Sequence, residues 1–120
     1  MSSTKSNLQD KRVLITGGAG GVGRAVASRL VAEGARVLIA DRGELELRSV
    51  IEAVRASGKA AEIDSVTADL SNSSGIARMF ERVDSWLGGL DMLVACAGVG
   101  SGPLMDIAEA DWRYVIESNL

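Results

Sequence analysis

The chain has 120 residues, 47% hydrophobic and 24% charged, with a net charge of -3 and no histidine, the composition of one ordinary globular domain or a piece of one. The acidic balance and the lack of a Lys/Arg cluster argue against a nucleic-acid surface. A single cysteine and no histidine exclude an internal disulfide and a zinc site built from those ligands.

Residues 1–10 open on Met1-Ser2-Ser3-Thr4-Lys5 with no apolar signal core, and are expected to form a flexible tail. No later run reaches the ~18 apolar residues of a membrane span. The expectation is a cytoplasmic protein in a reducing compartment. The first strand is predicted at Arg12–Thr16. Directly after it, five glycines fall within seven residues, at Gly17, Gly18, Gly20, Gly21 and Gly23, and the helical pattern Val22, Ala25, Val26, Leu30 follows. A glycine turn between a strand and a helix lets the main chain approach a pyrophosphate, while the first N–H groups of the helix and its dipole attract the negative charge.

A second strand is predicted at Ala35–Ala40, with Asp41 at its end, eighteen residues after Gly23. An acidic side chain near that spacing accepts hydrogen bonds from an adenosine ribose. It also repels a 2′-phosphate, which favours NAD over NADP, although Arg42 is placed to pair with such a phosphate. The competing reading of Asp41 is as a cap for the following helix.

That helix carries Leu47, Val50, Ile51 and Val54. A third strand is predicted at Ala61–Ala68, then a helix with Ile76, Met79, Phe80, Val83 and Leu87 on one face, then a fourth strand at Leu90–Ala97. Apolar strands alternating with amphipathic helices describe a doubly wound parallel α/β sheet with helices on both faces. Helix positions such as Met79 and Phe80 are read as packing residues. The last helical pattern, Ala108, Trp112, Val115, Ile116 and Asn119, sets an amide on an apolar face. Such an amide needs a partner, since burying it alone costs ~1–3 kcal/mol.

The glycines fit two registers, Gly18, Gly20 and Gly23 as G-x-G-x-x-G, and Thr16-Gly17, Gly21 and Gly23 as T-G-x-x-x-G-x-G. The second, with Asp69-Leu70, Ala97-Gly98 and Trp112 through Asn119-Leu120, resembles the short-chain dehydrogenase/reductase family over residues 11–120. The resemblance implies a Rossmann-like domain with Gly17, Gly21, Val22, Gly23 and Asp41 on the cofactor. It further implies Asp69 and Leu70 at the adenine, Ala97 and Gly98 beside the cofactor, and Asn119 as the tetrad amide of a proton relay. It also implies an NAD(P)-dependent oxidoreductase acting on a small alcohol or carbonyl compound, and a homo-oligomer at full length.

One departure is Ala95-Cys96-Ala97-Gly98, where the family usually has Asn-Asn-Ala-Gly. The hydrogen bonds of those amides must be absent or replaced, and Cys96 is read as a small buried hydrophobe. The family's catalytic Tyr, Lys and Ser are not found. Tyr114, the only tyrosine, precedes Asn119 and is followed four residues later by Ser118. The chain is therefore expected to be the cofactor-binding half, truncated after the fourth strand and its helix, with an open apolar edge at that strand and no activity alone. The alternative is a non-catalytic nucleotide-binding or interaction protein. A methyltransferase using S-adenosylmethionine shares the glycine turn but leaves Asp69-Leu70 and Asn119-Leu120 unexplained.

Overall fold

The computed structural model describes residues 7–58 and 62–97. Four strands form one parallel sheet: β1 (Arg12–Thr16), β2 (Arg36–Asp41), β3 (Ile63–Thr67) and β4 (Met92–Ala95). Between them run α1 (Gly21–Ala32), α2 (Glu44–Ser57) and α3 (Ser73–Arg82), the last continuing as a π-helical segment over Val83–Leu87. The sheet order is β3-β2-β1-β4, with Val13 beside Val37 and Leu14 beside Leu93. The chain thus builds outward from β1 to β3, then returns past β2 and β1 to add β4 on the other side. This is the doubly wound arrangement expected. The last helical pattern, with Asn119, lies outside the described residues, as does Gly98.

Residues alternate between two cores because successive side chains on a strand point to opposite faces. Val13, Ile15, Val37, Ile39 and Ile63 pack beneath α1 and α2. Leu14, Leu38, Ala40 and Val66 pack beneath α3 and the π-helical segment, against Met79, Val83 and Leu87. Burial on both faces explains why β1 and β2 read as continuous apolar runs.

Two helix faces differ from the periodicity. In α1 the buried positions are Gly23, Ala27 and Leu30, whereas Val22 is 70% exposed. The rotation follows from Gly23, which must face the strand layer for the helix to start so close to it. In α3 Met79 is buried, but Ile76 and Phe80 are 40% and 43% exposed. The wider π-helical turn after Arg82 shifts the phase and brings Val83 and Leu87 inward, and the Gly88 N–H donates to the Val83 carbonyl five residues back at 3.0 Å.

Within the stretch expected as a tail, residues 7–10 form a turn docked on the fold. The Asp10 N–H donates to Gly34 O at 2.9 Å, and Leu8 is half-buried against the first core. At the outer edge of β3, Arg55 donates to Ile63 O at 2.8 Å and the Ser65 N–H donates to its neighbour Asp64 at 2.8 Å, while Arg82 pairs with Asp64. Ladder groups occupied by side chains resist pairing with another strand. β4 is less covered, with Leu93 54% exposed. No helix among the described residues is long and apolar enough to cross a membrane.

Candidate functional site

The carboxyl ends of β1 and β4 flank the point where strand order reverses, the crevice in which open α/β sheets bind ligands. The glycine turn sits there. Gly17 has φ +70°, a conformation natural to glycine. Its N–H donates to Ala40 O at 2.8 Å and that of Gly18 to the same oxygen at 3.2 Å, so the turn is held by the end of β2. A Cβ at Gly17 would lie 2.7 Å from the Cys96 carbonyl and the Ala97 nitrogen. Turn and β4 end therefore touch main chain to main chain.

The glycines divide the work. A Cβ on Gly23 would collide with the Gly17 carbonyl oxygen, so Gly23 permits helix and turn to pack. A Cβ on Gly21 would meet nothing within 4 Å. Gly21 and the exposed Val22 begin α1, where the first N–H groups have no acceptor upstream in the helix. This open first turn fits a pyrophosphate.

Asp41 joins the turn from β2. Its Oδ2 accepts the Ala19 N–H at 3.1 Å and its Oδ1 accepts the Arg42 N–H at 2.7 Å. It does not cap the next helix, because the N-cap of α2 is Gly43, with no side-chain hydrogen bond. Asp41 instead lines a surface cleft of about 510 Å³ with Ala19, Gly20, Arg42, Gly43 and Glu46.

A neighbouring cleft of about 650 Å³ is lined by Arg42, Thr67, Ala68, Asp69, Asn72 and Arg78, among others. Asp69 Oδ1 accepts the Ser71 hydroxyl at 2.6 Å and the Ser71 N–H at 2.9 Å. These bonds, the hydroxyl first, hold the Asp69 carboxyl below the usual carboxylate range, and the positive charge of Arg42 adds to the effect. Asn72 caps α3 by accepting the Gly75 N–H at 2.7 Å. Leu70 is half-buried and leans on the second core. A larger cleft, about 700 Å³, runs along the outer edge of β3. It is lined by the paired Arg48 and Arg82 and by Arg55 on its carbonyl, away from the glycine turn.

At the Ala95-Cys96 departure the strand end is held by Thr16. The Cys96 N–H donates to Thr16 O at 3.0 Å and the Ala97 N–H to Thr16 Oγ1 at 3.4 Å. Cys96 itself is half-buried against the first core, less enclosed than expected. The Thr16 hydroxyl and Glu46 are contributions that the sequence reading did not single out. For Glu46 the available signal was its position three residues after Gly43, at the start of a helix.

The sequence profile of the short chain dehydrogenase family matches residues 11–120. The chain belongs to that family. A 3beta-hydroxysteroid dehydrogenase of Mediterraneibacter gnavus is 34% identical over 113 residues, which cover 92% of this chain and 40% of that protein. A metagenomic short-chain oxidoreductase in complex with NADP is 38% identical, with TM-score 0.83 over 96% of this chain and 52% of its own. An actinorhodin polyketide ketoreductase variant with NADPH is 34% identical, with TM-score 0.84 over 96% of this chain and 44% of its own. The chain thus spans about half the length of these relatives or less.

Proposed function

We propose that this chain is the cofactor-binding half of an oxidoreductase that moves hydride between NAD and an alcohol or carbonyl substrate. The observation that carries the reading is the junction of Asp41 with the glycine turn through the Ala19 N–H. It presents a carboxylate for ribose hydroxyls beside an open helix start for the pyrophosphate. On this reading Gly17 and Gly23 shape the turn, and Gly21 and Val22 border the phosphates. Asp69 and Leu70 hold the adenine end, and Ala97 and Gly98 border the nicotinamide side. Asn119 serves the proton relay. NAD, when bound, accepts or donates the hydride.

The preference for NAD rests on Asp41, since a 2′-phosphate there would face its negative charge. Two of the related structures hold NADP or NADPH, so cofactor choice is the point to test. Calorimetric titration of the chain with NAD and NADP is the experiment. Tighter NAD binding is expected; tighter NADP binding would hand control of the site to Arg42, and binding of neither by folded protein would end the dinucleotide reading.

A further inference from the structure

Asp41 is not the only carboxylate in the ribose cleft. Glu46, in the first turn of α2, lines the same cleft with Ala19, Gly20, Asp41, Arg42 and Gly43. Its carboxylate folds back over Gly43, where a Cβ would overlap it. Gly43 thus opens the space that Glu46 occupies. The N-cap position of Gly43 and the N3 position of Glu46 have the spacing of a capping box, in which the N3 side chain reaches back toward the N-cap. That arrangement places an exposed helix-start carboxylate at the lip of the cleft.

We infer that Glu46 is a second specificity-determining carboxylate of the adenosine-ribose cleft, acting with Asp41 to exclude a 2′-phosphate and to offset the charge of Arg42. The inference rests on the dinucleotide reading above and deepens it. Two carboxylates against one guanidinium leave the cleft negative, and a dianionic phosphate entering it meets repulsion that a neutral 2′-hydroxyl does not. Because the cleft is open to solvent, the effect is screened by salt.

Two substitutions reach the same group by separate routes. Glu46→Gln removes the charge and keeps the length of the side chain. Gly43→Ala, at φ -93°, asks for no unusual backbone and pushes the Glu46 carboxylate out of its place. Each is compared with the unmodified chain by calorimetric titration with NAD and NADP at low and at high salt. The expected result is an NADP affinity raised roughly 3- to 10-fold relative to NAD in both variants, with a smaller change at high salt. A purely structural Glu46 would lower the melting temperature or both affinities together and leave the ratio unmoved, and that outcome in folded Glu46→Gln protein overturns the inference. If the unmodified chain binds neither dinucleotide, the cofactor reading falls and this inference with it. If it binds both and only the ratio stays fixed in the variants, the cofactor reading stands and Glu46 is removed from it.

Discussion

The Asp41 carboxylate accepts the Ala19 N–H at 3.1 Å, tying the end of β2 to the glycine turn that follows β1. One side chain therefore shapes the glycine turn and places a carboxylate in the adjoining cleft. The two duties are separable by substitution.

Asp41→Ala removes both. It is expected to cost about 1–2 kcal/mol of stability through the lost hydrogen bonds and to narrow the gap between NAD and NADP affinities. Asp41→Asn retains an acceptor for Ala19 and should recover most of the stability while the gap stays narrow. Urea unfolding paired with cofactor titration checks this, and an Asn variant as unstable as the Ala variant would show that charge holds the turn.

Gly23 and Gly21 are expected to fail differently. Gly23→Ala drives a methyl into the Gly17 carbonyl, at a cost toward or beyond the top of the ~1–3 kcal/mol typical of overpacking. Gly21→Ala meets no atom within 4 Å and should leave stability unchanged or raise it by up to ~1 kcal/mol, since alanine is the better helix former. Its effect should instead appear as weaker cofactor binding. Thermal melts of both variants decide; a Gly23→Ala protein as stable as the parent would refute the packing role.

Asp91 gives the fold a pH dependence. Its carboxylate accepts the Arg12 Nε–H at 3.1 Å and the Arg12 N–H at 2.9 Å. Bonds from the Arg12 side chain, then from its main chain, lower its pKa to about 2. The folded value lies below the unfolded one of about 3.9, so the stabilisation is complete above about pH 4 and is lost as pH falls through about 2. The unfolding midpoint of the parent chain should exceed that of Asp91→Asn by a constant margin at neutral pH, and the margin should shrink below about pH 4. A margin unchanged down to pH ~2 would mean that Asp91 is not held by Arg12 in this way.

Element type and order were legible because hydrophobic period and glycine placement are local properties. β1 spans Arg12–Thr16 as expected, and the continuous apolar runs of β1 and β2 already implied burial on both faces. The glycine turn and Asp41 were legible for the same reason, since a tight turn and a carboxylate at a strand end are written in consecutive residues. The inward face of α1 was not. Val22 continues the apolar spacing yet stands 70% exposed, because contact between Gly23 and Gly17 sets the helix rotation and periodicity counts a glycine as no signal. Ile76 and Phe80 were misplaced for a related reason, as the π-helical segment after Arg82 changes the angle per residue that the spacing assumes.

Read alone, the residues determined a parallel α/β fold with a glycine turn between its first strand and helix, because chain-local sterics and hydrophobic period suffice for that. Only the tertiary structure decided that β4 lies beside β1, that Thr16 accepts the Cys96 and Ala97 N–H groups, and that Glu46 shares a cleft with Asp41. Those relations join residues far apart in the chain or turned by a helix start, and they are set by how the layers pack.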